Sequence, residues 1–529
     1  DGAGLPSHWT AVTDRHLVLC NEGNWTYNGC EPMMNIDLRP DATTPLYLQI
    51  KAQLQGRIEQ GALLPGTRLS ATRTLARDLG VSRVTVVNAY AELEAEGWVR
   101  AYVGRGTFVS DPRRRDEALR GTPYDWESRL LGPSGVSASG MLSDMLDLAQ
   151  HPDLISFAMG APATDLLPVR DFRQAINQVL RRDGGEALQY DEAAGYGPLR
   201  TAIARLLARD GNRVSVRDLV VTSGSQQGLD LATRVLTASG DLVISESPTY
   251  LGALDVFRAN GVEVLGVPMD EDGLRVDVLE ELIPSRDPRF IYTIPDFHNP
   301  TGVTLSLERR QRLLRVARRY DVTVLEDGVC SELRYEGASI PSLRALDAGE
   351  RVVTINSFSK FLLPGIRVGY TVVPQKLRDR LIRGKQAADL FTSSLMQRAL
   401  AQYLETGRLE DHLTTIRRAY RERRDAMLAG LARRMPPGTE WTCPQGGLCL
   451  WVRLPESISA GQLYLTAIER GVAFALGSVF FPNNPDPSAL RLNFAAHSPT
   501  RIDEGLRRLG SAVRDQLRQT VDVREEQYS

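Results

Sequence analysis

The sequence predicts a multidomain protein in which a small, mainly helical domain at residues 37–110 precedes a large α/β domain at residues 149–515. Helix-length apolar repeats that stop at glycines predict the first, and short strand-like runs alternating with amphipathic stretches predict the second. The chain of 529 residues is long enough for several domains. Its 24% charged and 42% hydrophobic residues argue against a disordered or collagen-like chain.

Charge and cysteine content narrow the classes of function. Residues 37–116 hold 12 Lys and Arg against 9 Asp and Glu, whereas the whole chain has a net charge of −2. This local basic excess is compatible with a small nucleic-acid-binding module but is weak evidence by itself. The five cysteines show no CxxC spacing, so we expect a cytoplasmic protein with neither a disulfide framework nor a metal site. No apolar run has the length of a membrane span, and no membrane partner is expected.

Residues 1–36 do not share the pattern of the rest and are expected to form an unstructured extension. They mix tryptophans, cysteines, glycines and asparagines without a helical or alternating period, and they lack the features of a secretory signal. Met33 and Met34 precede the patterned region, which favours a natural start at one of them. A short ordered arm is the alternative.

Three helices and a hairpin are predicted within residues 37–110. An apolar residue recurs at every fourth position before Gly61, which indicates one amphipathic helix: Leu46, Ile50, Leu54 and Ile58. A second helix is expected over Thr72 to Leu79, and Ser82 is a suitable N-cap for a third over Arg83 to Glu96. The third helix is expected to pack these side chains inward: Val84, Val87, Tyr90, Ala91 and Leu93. Trp98 to Val109 is typical of a β-hairpin.

The segments "PLYLQI", "LARDLGVSRVTVVNAYAELEAEGWV" and "GRGTFV" resemble the winged helix-turn-helix of the GntR family. The resemblance implies binding to double-stranded operator DNA through the following residues: Arg73, Arg83, Thr85, Gly104, Arg105 and Gly106. Arginines at helix N-termini can contact phosphates or read guanine edges. Ala71 stands where the family usually has a hydroxyl residue, although Ser70 supplies a hydroxyl one position earlier, so a phosphate contact at position 71 is not carried over from the family. For any single arginine, a solvent-exposed charged face is the alternative.

Residues 111–148 are predicted to be a linker with a short helix at Met141 to Leu148, and residues 516–529 a C-terminal tail. Between them, the apolar runs indicate a mostly parallel sheet with helices on both faces. The expected strands are Leu219 to Thr222, Asp241 to Ser245, Val262 to Val267, Phe290 to Thr293, Val322 to Leu325, Val352 to Ile355 and Gly369 to Val373. Ligands bind at the carboxyl ends of such strands.

Those strand ends carry residues suited to one ligand. A glycine-containing turn opens a helix at Ser225, which is typical of a phosphate site. An aromatic ring follows at Tyr250, an acid at Asp327 and an amine at Lys360. A phosphate, a flat ring, a ring nitrogen that needs a carboxylate and a carbonyl that lysine can capture together indicate pyridoxal 5'-phosphate.

The segments "TSGSQQG", "ESPTY", "HNPTG", "LEDG" and "SFSKFLLPGIRVGY", in this order, resemble fold-type I aminotransferases. By resemblance, Lys360 would form the Schiff base, Asp327 would pair with the pyridine nitrogen, and Tyr250 would stack on the ring. The other implied contacts are Asn299 to the phenolic oxygen and, around the phosphate, Ser225, Gln226, Ser357, Ser359 and Arg367. Tyr190 matches the tyrosine that reaches the phosphate of a neighbouring subunit, which implies a homodimer, and Arg491 matches the arginine that binds an α-carboxylate.

Cys330 departs from this family, which places a tyrosine three positions after the aspartate. A thiol is a weaker hydrogen-bond donor than a phenol, so catalytic competence is in doubt while cofactor binding is not.

The order of winged helix, linker and aminotransferase-like domain resembles the MocR subfamily of bacterial regulators. The first hypothesis is a transcription regulator that senses pyridoxal phosphate or an amino compound condensing with it. An active aminotransferase with a DNA-binding domain is the alternative, favoured by Arg491 and opposed by Cys330. A DNA-binding scaffold with a degenerate second domain conflicts with the presence of Lys360, Asp327 and Arg367.

Overall fold

The computed structural model describes these residues, with side chains through residue 518: 36–42, 44–102, 105–110, 153–209, 211–347 and 351–528. Residues 1–35, the expected linker with its short helix, and Gly104 lie outside these ranges. The chain divides into two compact units, before and after residue 130, and each is described by itself.

The small unit consists of three helices followed by an antiparallel hairpin. Its elements are α1 (Leu46–Glu59), α2 (Thr72–Asp78), α3 (Arg83–Ala95), β1 (Val99–Tyr102) and β2 (Gly106–Val109). The Ser82 hydroxyl accepts from the Thr85 N–H at 3.2 Å and caps α3 as the sequence indicates. Glycines at positive φ follow each helix, at Gly61, Gly80 and Gly97, where a left-handed residue ends the helix without strain.

The face of α3 that packs inward differs from the sequence expectation. The buried residues are Val86, Ala89, Tyr90 and Leu93, spaced at the three and four positions that share one helix face. Val84 and Val87 are exposed, because they lie on the opposite side of the helix. Ile36 is buried in the same core, so the expected extension ends before residue 36.

The large unit is built on an eight-stranded sheet of order β4-β11-β10-β9-β8-β5-β6-β7. Its strands are β4 (Leu219–Thr222), β5 (Leu242–Ser247), β6 (Glu263–Asp270), β7 (Gly273–Leu274), β8 (Phe290–Thr293), β9 (Thr323–Asp327), β10 (Val352–Ser357) and β11 (Gly369–Val372). Leu219 and Val221 join one hydrophobic cluster and Val220 another. The sheet is therefore buried on both faces, which explains its unbroken apolar runs.

Helices cover this sheet on both sides. The helices described in the large unit are α4 (Val169–Asp183), α5 (Gly197–Arg209), α6 (Ser225–Leu236), α7 (Leu251–Ala259), α8 (Val276–Arg286), α9 (Leu307–Arg319), α10 (Leu343–Leu346), α11 (Gln375–Asp389), α12 (Ser394–Glu405), α13 (Leu409–Arg434), α14 (Ala460–Glu469) and α15 (Pro499–Tyr528). Residues 516–528 are not a tail, because α15 continues through them and Gln516 is buried. Within the described ranges, no helix is long and apolar enough to cross a membrane.

A smaller sheet follows α13, in the order β12-β13-β16-β15. Its strands are β12 (Glu440–Trp441), β13 (Cys449–Arg453), β15 (Ala475–Leu476) and β16 (Ala489–Asn493). A separate parallel pair joins β3 (Ile155–Ser156) to β14 (Val472–Ala473). Residues from 155 onward therefore belong to the same folded unit as the C-terminal part of the chain.

Candidate cofactor site and nucleic-acid interface

Polar residues gather at one edge of the eight-stranded sheet. β5, β8, β9 and β10 are parallel, and β4 shares their direction because β4 and β10 are both antiparallel to β11. Their carboxyl ends therefore reach the same edge. The loops or helix starts at this edge carry Ser225, Tyr250, Asn299, Asp327 and Lys360. The sheet thus brings together residues that are far apart in sequence.

An anion-binding cradle is formed where α6 begins. Gly224 precedes the helix at φ 92° and, because glycine has no side chain, this N-cap residue does not cap the N–H groups of the first turn. Arg367 Nη2 donates to the carbonyl oxygen of Ser223 at 3.3 Å. A Cβ atom on Gly224 would lie 2.5 Å from that nitrogen, so the close approach of the guanidinium requires glycine. Free N–H groups at a helix N-terminus beside a guanidinium favour a phosphate.

Two hydroxyl groups lie in the loop that leads from β10 to this cradle. Ser357 Oγ donates to Ser359 Oγ at 2.8 Å and accepts from the Ser359 N–H at 3.1 Å. Gly369 lies opposite Ser357 in the sheet, and a Cβ atom there would lie 2.9 Å from the Ser225 nitrogen. The absent side chain allows the two backbone segments to pack together.

The side chain of Gln226 is engaged with the neighbouring helix start rather than with the cradle. Its Nε2 donates to the Gly252 carbonyl at 2.7 Å, and its Oε1 accepts from Tyr250 Oη at 3.2 Å. Only the backbone N–H of Gln226 is thus suited to an anion. Burial raises the pKa of Tyr250 to about 12, so its phenol is neutral near pH 7.

Lys360 and Asp327 are the two titratable groups expected to act on a cofactor. Lys360 Nζ donates to the Gly160 carbonyl at 2.7 Å, and burial lowers the pKa of this amine. Asp327 is 4% exposed and accepts from Tyr292 Oη at 2.8 Å and from the Val329 N–H at 3.3 Å. Burial raises the pKa of Asp327, while the bond from Tyr292 opposes that rise.

Arg491 is a buried cation without a carboxylate partner among the described residues. It is 4% exposed, and its Nη1 donates to Asn299 Oδ1 at 2.8 Å. Nη2 donates to the Ala158 carbonyl, whereas Nε has no hydrogen-bond partner in the described part of the chain. The guanidinium lies 4.8 Å from the centroid of the Phe480 ring. An uncompensated buried charge with a free donor is suited to binding an anion.

Glu246 and His298 form a buried pair, and His298 directly precedes Asn299 in the chain. Glu246 Oε1 accepts from Thr293 Oγ1 and from the Ile294 N–H at 3.1 Å. Glu246 Oε2 lies 3.8 Å from His298 Nε2, and neither atom has a hydrogen-bond partner among the described residues. Burial raises the pKa of Glu246 to about 7 and lowers the pKa of His298 to about 3. The imidazole is therefore neutral, and the carboxyl group titrates near neutral pH.

Cys330 and Tyr190 differ in their surroundings. Burial raises the pKa of Cys330 to about 12, so this residue is a neutral thiol near pH 7.

Tyr190 is 77% exposed, and its ring contacts Phe391 edge-on with centroids 5.1 Å apart. Its hydroxyl has no hydrogen-bond partner within the described ranges. A surface cavity of about 550 Å³ is lined by Tyr190 and Phe391 together with Leu188 and Leu395.

Three arginines of the small unit lie on its surface without an ion-pair partner in the described residues. Arg73 is in the first turn of α2, Arg83 is the first residue of α3, and Arg105 is in the hairpin turn. Thr85 bonds through its Oγ1 to Ser82 Oγ at 2.8 Å. Gly106 adopts φ 108° at the end of the turn, a conformation that favours glycine.

Two families match the sequence, one for each unit. Residues 46–109 match "Bacterial regulatory proteins, gntR family", and residues 152–509 match "Aminotransferase class I and II". The chain is 31% identical to the probable rhizopine catabolism regulatory protein MocR of Rhizobium meliloti, over 89% of this chain and 94% of that protein. It is 30% identical to the HTH-type transcriptional regulator YdfD of Bacillus subtilis, over 89% and 97%.

The chain belongs to the MocR subfamily of GntR-type regulators. Its large unit is similar to the α-aminoadipate aminotransferase LysN of Thermus thermophilus, with 37% identity, a TM-score of 0.70 and coverage of 74% of this chain and 99% of LysN. The LysN structure holds N-(5'-phosphopyridoxyl)-L-leucine. The predicted fold class and family are therefore confirmed, with an N-terminal GntR domain and a C-terminal fold-type I aminotransferase domain.

Membership of the aminotransferase family implies pyridoxal phosphate as the cofactor. The residues of this MocR-type chain fit that group. The α6 cradle would accept a phosphate, the Asp327 carboxyl is buried where a ring nitrogen needs an acid, and Lys360 is at the same edge of the sheet.

Sequence reasoning missed Tyr292 and Phe480, which contact Asp327 and Arg491. Tyr292 carries a detectable signal, because a hydroxyl in the otherwise apolar run "FIYT" needs a buried partner. Phe480 carries no such signal, because it is one of several apolar residues in the run from 472 to 481.

Proposed function

We propose that the protein is a transcription regulator that binds pyridoxal phosphate in its large unit and operator DNA through its small unit, in response to a small amino compound. One observation carries the proposal: a helix start preceded by glycine, a buried aspartate and a half-buried lysine lie at the same edge of one sheet. A scaffold without a ligand has no need of such a combination, since burying an ionisable group costs stability unless a partner compensates its charge.

Different residues of the pocket would contact different parts of the cofactor. The bound cofactor supplies an aldehyde that condenses with primary amines and a ring that withdraws electrons. Lys360 would provide the amine that condenses with the aldehyde, and burial lowers the pKa of this amine. Asp327 would hold a proton on the ring nitrogen and Tyr250 would cover the ring. The phosphate would bind Arg367 with the hydroxyls and N–H groups of Ser225, Ser357 and Ser359.

The class of effector follows from Arg491. Its guanidinium is buried, lacks a carboxylate within the described residues, and has Nε without a hydrogen-bond partner there. A ligand with both a primary amine and a carboxylate would satisfy Arg491 and displace Lys360 at once. An amino acid or a related amino carboxylate is therefore the favoured effector.

The DNA-binding surface of the proposal comprises α3, the start of α2 and the hairpin turn. Arg83 would contact a guanine edge or a phosphate, while Arg73 and Arg105 would contact the backbone. The exposed Val84 and Val87 are apolar side chains on the same helix, suited to thymine methyl groups.

The proposal includes a homodimer because the Tyr190 side chain is largely exposed in the single chain and is therefore accessible to a second copy. Its phenol, together with Leu188 at 68% exposed and Leu390 at 59%, forms an apolar surface near the cavity of about 550 Å³. A second copy of the chain would cover this surface and bring Tyr190 to its phosphate.

Transamination is the second candidate function. Lys360, Asp327 and Arg491 favour it, since these groups would hold both cofactor and amino acid. Cys330 opposes it, because a neutral thiol is a weaker donor to the cofactor than a phenol.

One experiment separates the two functions. Operator DNA is titrated with the cofactor-loaded protein in the presence and absence of single amino acids, and keto-acid release is measured in the same samples. A regulator predicts an affinity change of about 5- to 150-fold with the right amine, typical of allosteric coupling, without sustained keto-acid release. Multiple turnovers without any change in DNA affinity would contradict the proposal and favour the enzyme.

A further inference from the structure

A second cavity, of about 970 Å³, lies in the large unit apart from the residues assigned to the cofactor. On one side it is lined by residues 247–248, 268–272, 301–304 and 306. On the other side it is lined by residues of β12 and β13 and by Phe481 and Asp486. None of Lys360, Asp327, Tyr250, Asn299 or Arg491 lines this cavity, which we call the β12 cavity.

Aromatic rings line the β12 cavity on the side of the small sheet. Trp451 is 6% exposed, and its ring centroid lies 6.0 Å from that of Phe480 and 6.2 Å from that of Phe481. Trp441, on the neighbouring strand β12, lines the cavity with Trp451 and Phe481. These rings give the cavity a fixed apolar wall, since each Trp451 contact is with another buried or half-buried ring.

The lining of the cavity also carries more carboxylates than cations. The lining carboxylates are Asp270, Glu271, Asp272, Glu440 and Asp486, and the one lining cation is Arg453. Arg453 forms ion pairs with two of these carboxylates: its Nε lies 3.1 Å from Asp486 Oδ2, and its Nη1 lies 3.6 Å from Glu440 Oε2. Asp270 pairs with Arg309 at 2.8 Å.

Glu271 and Asp272 are the uncompensated charges of the cavity. Both are exposed, and neither side chain has a cationic partner among the described residues. They belong to the turn that joins β6 to β7, directly beside the cavity. Free carboxylates and aromatic rings therefore line the same open volume.

We propose that the β12 cavity binds an organic cation that carries an ammonium group on an apolar body. The ammonium group is attracted both by the faces of aromatic rings and by the free carboxylates, whereas an anion is repelled and a neutral molecule gains only the apolar contact. The volume is within the range of small-molecule sites. This proposal is independent of the cofactor, because no cofactor residue lines the cavity.

Occupation of the cavity can be sensed at Arg491. Phe480 contacts both Trp451, whose ring is 6.0 Å away, and the Arg491 guanidinium, which is 4.8 Å from its centroid. A cation that repositions Trp451 therefore repositions the ring against which Arg491 packs. The cavity is thereby connected to the carboxylate-binding residue by two side-chain contacts.

The test uses benzyltrimethylammonium, titrated calorimetrically into the full-length protein. Its quaternary nitrogen carries no N–H, so it cannot condense with an aldehyde and cannot report on Lys360. We expect saturable binding that Lys360→Ala leaves unchanged, and no detectable binding of benzoate or benzyl alcohol under the same conditions. Lack of saturable binding, or benzoate binding as tight as that of the cation, would overturn the proposal.

Two variants assign the binding to this cavity. Glu271→Gln combined with Asp272→Asn should lower the affinity about fivefold, as expected for the loss of two exposed ion pairs, and Trp441→Leu should have a similar effect through the lost ring. The control is Glu456→Gln combined with Glu469→Gln, which removes two exposed charges outside the cavity. Equal affinities in the cavity variants and the control would overturn the assignment, and thermal unfolding of each variant checks that it is folded.

Discussion

Arginines without a carboxylate partner among the described residues occur in both units, but their surroundings differ. Arg73, Arg83 and Arg105 of the small unit are exposed, whereas Arg491 of the large unit is 4% exposed. Water and salt ions screen the exposed charges, so each contributes little unless one polyanion engages several together. The buried charge is not screened and lacks a counter-ion. The small unit therefore suits a long anion such as DNA, and the large unit suits one small carboxylate.

The largest expected effect is at Lys360. Lys360→Ala removes the amine that would condense with the cofactor, so the visible absorbance of the purified protein should lose its covalent component completely. The α6 cradle remains, and phosphate-dependent binding of the cofactor should persist at lower affinity. Absorption spectra before and after dialysis measure both effects. Identical spectra for the variant and the parent protein would show that Lys360 is not the attachment site.

The next effect concerns the buried cation. Arg491→Met should weaken binding of an amino carboxylate about 10- to 100-fold, since a charge-assisted hydrogen bond contributes about 1.5–3 kcal/mol. Binding of the corresponding amine without a carboxylate should change little. Spectral titration with both ligands measures the difference. An equal loss for the two ligands would indicate general damage to the pocket instead.

A smaller, salt-dependent effect is expected in the small unit. Arg83→Ala should weaken operator binding by about 1–3 kcal/mol if a base contact is lost, or reduce the salt slope by about one if a phosphate contact is lost. Arg77→Ala is the matched control, because Arg77 is exposed and lies 3.5 Å from Asp78. Titrations at several salt concentrations sharpen the comparison between units, since the effect of Arg491→Met should depend far less on salt. Equal losses for both arginine variants would refute the placement of α3 on DNA.

The smallest effect is a pH dependence at Glu246. Burial raises the pKa of this carboxyl from 4.5 to about 7, so the folded state holds a proton that the unfolded state has released between these pH values. The stabilisation is present below the unfolded pKa and is lost as the pH rises through the folded pKa. Glu246→Gln stays neutral, so the unfolding temperature of the parent should fall relative to the variant between about pH 5 and pH 7. A constant difference over this range would show that Glu246 is ionised in the folded protein.

The sequence predicted those features of the fold that depend on a single local requirement, such as burial of both faces of a strand or a glycine before a helix. Strands of the large sheet were predictable because both faces of the sheet are buried, so that runs such as Leu219–Thr222 and Phe290–Thr293 are apolar or weakly polar throughout. The cradle was predictable from Gly224 and Ser225, since a strand, a glycine and a helix start follow each other directly along the chain.

Other features depend on contacts that no local pattern contains. The valine-rich start of α3 allows several inward faces, and packing against α1 and α2 selects the one with Val86 and leaves Val84 exposed. The partners of Arg491 are 192 and 333 residues away along the chain, so its lack of a carboxylate could not be inferred. The roles in cofactor and DNA binding came from family resemblance, and they stay predictions until the variants above are measured.

The reversal of direction between β10 and β11 has a consequence for how this domain can change during evolution. Because β11 runs antiparallel to β10, with Ser357 opposite Gly369, the chain leaves and re-enters the sheet at the same edge. Ser359, Lys360 and Arg367 all lie within that one excursion. A parallel β11 would require a crossover that carries Arg367 to the far edge. Insertions or deletions between residues 358 and 368 should therefore displace Lys360 and Arg367 together.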